Sequence, residues 1–580
     1  MMENEETLSF KAIQGPLTTK KAIVFFIIIG FVVYFNALFG SFVWDDWTNF
    51  LYNPQITNNG LSHFLGNNAL NTGIYYRPFF TFYLTVFYNL FSAHPFFYHF
   101  FQVAIHIGSV SMLFYLFSKF INKKLSFFLC LFFLVHPIQV ESVAWVSATL
   151  VPLSFLLGIG GLIVSFRKNN SYKVLVATYL LLLLSVFTRE TGFIFFILII
   201  LLQFIYRRGN AFRLLLVEGL VAATYLFCRF VYGKVYFDYD YFSPFRELTL
   251  LEKVINTPAV FFYYLKTLIF PYKLAINQQW IVKNPDLNNF VIPIIGITIL
   301  FSAIIYFGRS LRKGNKQLFN LYLFFLTWFL FGCVTFTPFS PLDLTVADRY
   351  FYFPLAGLLG VIGVVLSTFE LKNNIRSLIL GSTILVLIIL SLRTYARNAN
   401  WNSYFALASH DIKIENNFDM QNMYGTLLVL ENNDHRTALK HFLKSVEMFP
   451  HESSLKNVGS TYLNLGQKEK ALEYFYKALE GKNFASNRTH NKSTYEALAT
   501  LLFQEKNFKE AIRIATLGIK DHRDDLQLYL VLAISEYELK NQKKALNAAT
   551  IAYKLSPNLQ TKYLYTQILN NQPIKFNISN

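Results

Sequence analysis

The sequence predicts an all-α chain in two parts, a bundle of membrane-spanning helices followed by an α-solenoid. Three observations support this prediction. The composition is that of a membrane protein, long apolar runs fill roughly the first two thirds of the chain, and the rest repeats with a period near 34 residues. We place the boundary at residue 397, which gives a membrane domain over 1–397 and a repeat domain over 398–580.

The composition excludes an ordinary soluble protein. Hydrophobic residues make up 54% of the 580 residues and aromatic residues 18%, while charged residues make up only 15%. The net charge of +18 is explained by lysines and arginines that set membrane topology and by a basic C-terminal part, so it does not indicate a nucleic-acid partner. Cys130, Cys228 and Cys333 all lie within apolar runs, which indicates neither disulfides nor a thiolate metal site.

Apolar runs of the length that crosses a bilayer predict about eleven spans. The first run is expected to stay as a span, because no small-residue cleavage site follows it. The run at 125–135 is short, and Lys123 and Lys124 are expected to reach the interface at one end. The runs lie near 22–40, 97–120, 125–135, 146–166, 173–187, 191–206, 212–231, 291–307, 318–336, 350–367 and 377–393.

Two further apolar segments begin with proline, are short and are rich in Tyr and Phe. These segments, Pro78–Phe91 and Pro258–Phe270, fit helices that lie in the membrane interface better than helices that cross it.

The short basic loops predict the orientation of the spans. All of them fall on one face if the two proline-led segments do not cross the membrane, and that face is then cytoplasmic. The N-terminus is therefore expected in the cytoplasm and the repeats outside it, at a bacterial inner membrane or at the endoplasmic reticulum of a eukaryote. The loops are Lys20–Lys21, Lys123–Lys124, Arg167–Lys168, Arg207–Arg208, Arg309–Lys316 and Lys372–Arg376.

Short polar segments interrupt the apolar pattern on the opposite face. Each has a structural explanation, such as a proline at a helix start, an Arg–carboxylate pair in a loop, or a Glu at a helix N-terminus. Together they place acids and arginines at one depth, as a site for a charged, membrane-embedded substrate requires. The candidates are Asp45 and Asp46 as catalytic residues, and Arg77, His136, Glu141, Arg189, Glu190, Asp348 and Arg349 as substrate-binding residues.

Such a site suits transfer from a lipid phosphate carrier. Fixed cations, with Arg189, Arg349 or Arg77 as candidates, would stabilise the charge on the leaving phosphate. A carboxylate in a partly desolvated pocket would accept the proton of the acceptor hydroxyl. Asp45 or Asp46 would be that base, and the sequence leaves open which of the two faces the pocket.

No pattern indicates a resident cofactor. The histidines of the membrane half, such as His94, His99, His106 and His136, show no metal-ligand spacing. A divalent ion would be compatible with the carboxylates, but nothing in the sequence supports one. The lipid-linked sugar would be a co-substrate.

The C-terminal part shows the tetratricopeptide-repeat pattern. We expect Ala438, Ala471, Ala511 and Ala545 to begin the second helix of each of four units, with an insertion around Gly481–His490. Gly459 and Ala471 are among the small residues that let two helices touch in the second unit. Stacked repeats form a concave face, for which protein or peptide binding is the commoner use and a spacer or dimer contact the alternative.

Five motifs, read with the repeats, resemble the transmembrane-and-tetratricopeptide-repeat O-mannosyltransferases. They are WDD at 44–46, YRP at 76–78, HPIQVESVAW at 136–145, the pair Arg189–Glu190, and DRYFYFP at 348–354. The resemblance covers nearly the whole chain and implies the GT-C class of polytopic glycosyltransferases. It implies transfer of a sugar, mannose in that family, from a polyprenyl- or dolichyl-phosphate carrier to a protein hydroxyl with inversion.

The resemblance assigns the paired acids of the first outer loop to Asp45 and Asp46. It also carries the HP…E motif over to His136, Pro137 and Glu141. This chain has about four repeats, fewer than many members of that family, and the acceptor therefore stays open.

Two other classes of function compete with an enzyme. A membrane-anchored scaffold would recruit partners through the repeats, but an anchor needs only one or two spans. A transporter of lipid-linked sugars would carry ionisable groups near the bilayer midplane and broken helices in repeated halves, whereas these acids lie at loop edges.

Overall fold

The computed structural model describes residues 17–57, 75–167, 171–206, 211–236, 248–340, 342, 344–369, 373–480 and 492–574. These residues form helices joined by loops, and among them a single isolated β-bridge pairs Gln278 with Val346. The all-α class is therefore confirmed. The described residues divide into two compact units, with unit 1 running to Ile414 and unit 2 beginning at Glu415. This division falls 17 residues after the domain boundary predicted at residue 397, which remains a prediction.

Unit 1 is a bundle of apolar helices with aromatic side chains throughout its core. Its α-helices are α1 Thr19–Val33, α2 Pro54–Thr57, α3 Pro78–Phe91, α4 Pro95–Phe117, α5 Lys123–Val135, α6 Val140–Ala144, α7 Leu150–Ser165, α8 Tyr172–Thr188, α9 Ile194–Ile205, α10 Ala211–Phe227, α11 Leu250–Ile269, α12 Ile292–Gly314, α13 Lys316–Val334, α14 Tyr352–Leu366, α15 Asn373–Asn400 and α16 Tyr404–Asp411.

Each of the eleven predicted runs coincides with a helix. In the described part of the chain, seven helices are long and apolar enough to cross a membrane, and a bent pair over Lys123–Val135 and Pro137–Ala144 raises the number to eight. Tyr172–Thr188 and Glu190–Ile205 are shorter apolar helices. The chain is thus a multi-pass membrane protein.

The two proline-led segments differ in outcome. Helix α3 begins at Pro78 and ends at Phe91, as the sequence predicts. The prediction that Pro258 begins a helix is wrong, because α11 begins at Leu250 and contains Pro258. Thr249 and Glu252 form a capping box at that start, which satisfies two backbone donors reciprocally and fixes the helix start about two turns before the proline.

The break after α5 sets the path of the next segment. The bend is 53°, and it frees the carbonyl groups of Leu134 and Val135 from helical bonding. Tyr34 donates its hydroxyl to the carbonyl of Leu134 at 3.2 Å, and Thr394 donates to that of Val135 at 2.6 Å. Backbone carbonyls at membrane depth need such partners. The break is therefore built into the packing, and it directs the chain toward Glu141.

Unit 2 contains four antiparallel helix pairs and a final single helix in the residues that the structure describes. The tetratricopeptide-repeat pattern predicted this arrangement. The helices are α17 Phe418–Asn432, α18 His435–Met448, α19 Glu452–Asn464, α20 Lys468–Glu480, α21 Lys492–Gln504, α22 Phe508–Asp521, α23 Leu526–Glu538, α24 Gln542–Leu555 and α25 Leu559–Leu569.

The four alanines do not begin the second helices, as we had expected. Each lies about one turn inside its helix and is fully buried. Two of these helices are capped by a side chain: Asp434 accepts from the backbone N–H of Thr437, and Asn507 accepts from that of Glu510. A Cβ placed on Gly459 would lie 2.8 Å from the Phe475 ring, so the expected close approach of the two helices is confirmed. The insertion at Gly481–His490 lies outside the described residues.

Candidate active site

A cavity of about 250 Å³ lies in unit 1 where several helix ends meet. It is lined by the loop after α1, the start of α3, the segment before α7, the turn after α8, the end of α13 and the turn before α14. The lining residues are Asp45, Asn49, Tyr75, Arg77, Phe80, Leu84, Trp145, Ser147, Ala148, Leu150, Val151, Arg189, Glu190, Thr191, Thr335, Leu342, Arg349 and Tyr350.

The cavity lies at the helix ends opposite the basic loops. Helix α7 starts at the cavity with Leu150 and ends just before Arg167. Helix α13 starts at Lys316 and ends next to Thr335, which lines the cavity. Five of the nine predicted site residues, from four distant stretches of sequence, therefore line one cavity at one end of the bundle.

The two adjacent acids have different surroundings. The Asp45 side chain is half-buried and lines the cavity. Asp46 is fully buried and does not belong to the cavity wall. The loop is irregular at this point, and neighbouring side chains in such a loop point in different directions. Asp45 is therefore the candidate base.

Asp46 ties the loop to the segment before α7. Its Oδ1 accepts from the backbone N–H of Ser147 at 2.7 Å and from the Ser147 hydroxyl at 2.5 Å, and its Oδ2 accepts from the N–H of Val43 at 3.0 Å. Trp44, which directly follows Val43, has a φ of +49°, and this conformation is costly for a bulky side chain. These bonds hold that conformation, and with it the position of Asp45.

Burial raises the pKa of the Asp46 carboxyl to about 6, although the donors from Ser147 and Val43 oppose the shift. Desolvation disfavours the charged form, and here it outweighs three hydrogen bonds that favour that form. Asp46 is thus ionised near pH 7 and becomes protonated in mild acid.

Two of the three arginines in the cavity are paired with glutamates. Arg77 donates from Nε and Nη2 to Glu190 Oε2, at 3.1 and 2.9 Å. Arg349 forms an ion pair with Glu141, whose Oε2 also accepts from the Arg349 backbone N–H at 3.1 Å. Tyr75 lies under the guanidinium of Arg77, with 3.9 Å from its carbon to the ring centre.

Arg189 differs from the other two arginines. In the part of the chain that the structure describes, no carboxylate lies within ion-pair distance of its guanidinium, and its nearest aromatic neighbour is the ring of Tyr350 at 5.9 Å. Burial lowers the pKa of Arg189 to about 10, and repulsion from Arg77 and Arg349 adds to the effect. It remains charged at neutral pH and is the cation of this cavity that lacks a carboxylate partner.

Four predicted site residues do not line the cavity: Asp46, His136, Glu141 and Asp348. His136 is buried, accepts from the N–H of Ile138 at 3.1 Å through Nδ1, and contacts the carbonyl of Leu268 at 3.0 Å through Nε2. Asp348 is buried and accepts from the Tyr263 hydroxyl at 2.8 Å. Asp46 and Glu141, in contrast, bond to two residues of the cavity wall, Ser147 and Arg349.

Sequence reasoning missed several lining residues. Trp145 is the last residue of the HPIQVESVAW motif, Ser147 lies two residues beyond it, and Thr191 follows Arg189–Glu190. Their nearness to the motifs was the available signal. Their side chains are uncharged, so charge-based selection passed over them.

The described residues contain no group of three or more His, Cys, Asp or Glu side chains that could hold a metal ion.

The fold and the cavity define a class of protein, a multi-pass helical membrane protein with a charged cavity at one end and a tetratricopeptide-repeat unit. No protein-family model matches the chain. Human protein O-mannosyl-transferase TMTC3 is 25% identical over 596 residues, which cover 92% of this chain and 64% of the human protein. The mouse protein of the same name is 24% identical, over 90% of this chain and 63% of its own length.

The protein O-mannosyl-transferase F38B6.6 of Caenorhabditis elegans is 22% identical over 410 residues, covering 67% of this chain and 56% of the nematode protein. This chain thus spans less than two thirds of the length of the curated relatives it matches. These relatives confirm the resemblance that the motifs predict.

Two solved structures are also similar to the chain. ArnT from Cupriavidus metallidurans bound to undecaprenyl phosphate is 12% identical with a TM-score of 0.40, covering 90% of this chain and 80% of that chain. YrrB, a tetratricopeptide-repeat protein with an unusual peptide-binding site, is 16% identical with a TM-score of 0.25, covering 28% of this chain and 82% of that chain.

We predict that the pKa of Asp46 makes stability depend on pH. An ordinary Asp titrates near 3.8, whereas Asp46 titrates near 6, so the folded state holds a proton between these values that the unfolded state has lost. The free energy of unfolding therefore falls as the pH rises from about 4 to about 7, by about 3 kcal/mol from this group. Thermal unfolding of the detergent-solubilised chain across this range measures the effect.

The Asp46→Asn variant lacks the titrating group, so the wild type should lose stability relative to it as the pH rises. Asn49→Asp, which adds a carboxylate at the cavity wall, is a control for a titrating group in the same loop. Identical pH dependence in the wild type and Asp46→Asn would show that Asp46 has an ordinary pKa.

Proposed function

We propose that this chain transfers a sugar, mannose or another hexose, from a polyprenyl- or dolichyl-phosphate carrier to a hydroxyl acceptor, a protein Ser or Thr, on the extracytoplasmic face. The observation that carries the proposal is Arg189, a cation with no carboxylate partner among the described residues, in the same cavity as Asp45. The O-mannosyl-transferase relatives support the same reaction.

Arg189 binds the carrier phosphate. Buried charges are paired in native proteins, and a buried arginine without a carboxylate calls for an anion. The planar guanidinium matches a phosphate in a bidentate fashion. Arg77 and Arg349 contribute positive potential at the same wall, but their glutamate pairs hold them in place.

Asp45 acts as the general base. The acceptor oxygen attacks the anomeric carbon, and its proton passes to the Asp45 carboxylate. The bond between that carbon and the phosphate oxygen breaks, and its electrons leave with the carrier. The carrier phosphate thereby gains one negative charge, which Arg189 stabilises as it develops. The acceptor attacks from the side opposite the phosphate, so the configuration is inverted.

The repeat unit binds the acceptor protein through its concave face. Stacked helix pairs expose such a face, and tetratricopeptide repeats commonly bind peptide segments there. The transfer itself needs only the cavity of unit 1.

We predict that Asp45→Asn abolishes transfer. The amide keeps the shape of the side chain but cannot accept the proton, so the rate should fall by about 10²- to 10⁴-fold. Binding of the lipid-linked donor should remain, because the phosphate contacts are unchanged. Transfer of radiolabelled mannose from its polyprenyl-phosphate carrier to an acceptor peptide measures the rate. Asn49→Ala, at a neighbouring position of the same wall, is the control, and turnover at the wild-type rate in Asp45→Asn would remove Asp45 as the base.

We predict that Arg189→Ala weakens donor binding and transfer together, and that Arg189→Lys restores only part of both. A lysine supplies a point charge but not the two-pronged contact. Titration of the purified chain with polyprenyl phosphate measures the affinity. Arg312→Ala removes an exposed arginine from the end of α12 and should leave the affinity unchanged. Equal affinity in the wild type and Arg189→Ala would exclude Arg189 as the phosphate ligand.

We predict that the repeats are extracytoplasmic, because the short basic loops place the exit of the last span there. The native cysteines are buried, so labelling by a thiol reagent reports the position of a cysteine that is introduced by substitution. Leu559→Cys lies in the repeats at a position that is 86% exposed, and Gly314→Cys lies in a basic loop with no atom within 4 Å of its Cβ. An impermeant thiol reagent should label the first in intact cells and the second only after lysis. The reverse pattern would overturn the orientation.

A further inference from the structure

Two oxygen atoms of residues in the cavity wall have no hydrogen-bond partner among the described residues. They are Oε1 of Glu190 and the hydroxyl oxygen of Thr191, and both are shielded from solvent. Arg77 directs both of its contacts to the other carboxylate oxygen, Oε2 of Glu190. The arrangement fixes the carboxylate while leaving one of its oxygens unused.

Such atoms call for an explanation. A polar group that is buried without a partner bears its full desolvation cost, and native proteins keep few of them. Thr335, another threonine of this cavity wall, donates its hydroxyl to the carbonyl of Gly332 at 2.7 Å. Thr191 has no equivalent bond, so its unsatisfied hydroxyl does not follow from its place at the cavity.

The position of the two atoms along the chain relates them to the donor. Glu190 and Thr191 directly follow Arg189 and begin a short 3₁₀-helix that ends at Phe193. If Arg189 holds the carrier phosphate, the first sugar ring lies one bond beyond that phosphate. The residues next to Arg189 are then within reach of the sugar hydroxyls.

We propose that Glu190 and Thr191 form the subsite that recognises the hexose of the donor. Glu190 Oε1 accepts a hydrogen bond from one ring hydroxyl, and the Thr191 hydroxyl bonds to a second. Arg77 is a positioning residue, since it holds the carboxylate through Oε2 and is itself backed by Tyr75. This inference rests on the proposed function and adds the residues that recognise the ring hydroxyls of the lipid-linked hexose.

Binding of two ligands to the full-length chain in detergent tests the inference. One ligand is bare polyprenyl phosphate and the other is polyprenyl-phosphate mannose, so their difference isolates the sugar. Thr191→Val keeps the shape of the side chain and removes the hydroxyl. Glu190→Gln replaces one carboxylate oxygen with an NH₂ group, which can donate a hydrogen bond but cannot accept one. We expect each variant to bind the mannosyl ligand about 10- to 150-fold more weakly, as for loss of a hydrogen bond to or from a charged or buried group. Binding of the bare phosphate should be unchanged in Thr191→Val. In Glu190→Gln it should not weaken, because Arg77 loses its carboxylate partner there and adds positive charge to the same wall.

Thr335→Val is the matched control, because it removes a hydroxyl that is already satisfied within the protein, and it should bind both ligands like the wild type. Mannosyl donors that lack one hydroxyl each extend the test. The donor that lacks the hydroxyl bound by Thr191 should bind the wild type weakly. Its affinity should not fall further in Thr191→Val, because the same hydrogen bond is already absent.

Unchanged affinity for the mannosyl ligand in both variants would overturn the subsite while leaving the proposed transfer intact. Equal weakening for both ligands would also overturn it, since the residues would then act on the phosphate or on the fold. If the wild type binds neither ligand, the proposed function fails, and the subsite fails with it.

Discussion

Two arginine–glutamate pairs, one buried and one part-buried, hold the walls of the cavity. Arg77 at the start of α3 is joined to Glu190 after α8, and Arg349 before α14 is joined to Glu141 in α6. Such pairs add little net stability, because desolvation offsets their attraction. Loss of one partner of the buried Arg349–Glu141 pair, however, leaves an unpaired buried charge at a cost of about 3–5 kcal/mol. The four helix ends are therefore constrained to meet in one arrangement.

This pairing gives the third arginine its role. Glu190 and Glu141 are taken by Arg77 and Arg349, while Arg189 stays charged with a pKa lowered to about 10. The cavity thus combines a fixed cation, which no carboxylate of the described segments pairs with, and the half-buried carboxylate of Asp45. A reaction that releases a phosphate and removes a proton needs these two groups, placed so that they do not neutralise one another.

The sequence predicted the fold class and the helices well, because both follow from hydrophobic patterning. It also predicted that distant polar segments meet, since the positions of the spans put them on one face. It could not separate Asp45 from Asp46, because the direction of a side chain in an irregular loop depends on tertiary bonds such as those to Ser147. Asp348 was selected for its charge, yet it packs behind the wall against Tyr263. The predicted helix start at Pro258 was wrong because the capping box at Thr249 outweighs the preference of proline for a helix start.

The central claim is that Arg189 binds the leaving phosphate and that Asp45 takes the proton of the attacking hydroxyl on the opposite side of the anomeric carbon. The most direct measurement is a cryo-EM structure of the chain with polyprenyl-phosphate mannose bound, in the Asp45→Asn variant so that the donor survives. The account predicts phosphate oxygens about 2.7–2.9 Å from the Arg189 guanidinium. It also predicts that residue 45 faces the anomeric carbon from the side opposite the phosphate. A phosphate bound away from Arg189, or residue 45 on the same side as the leaving group, would contradict it.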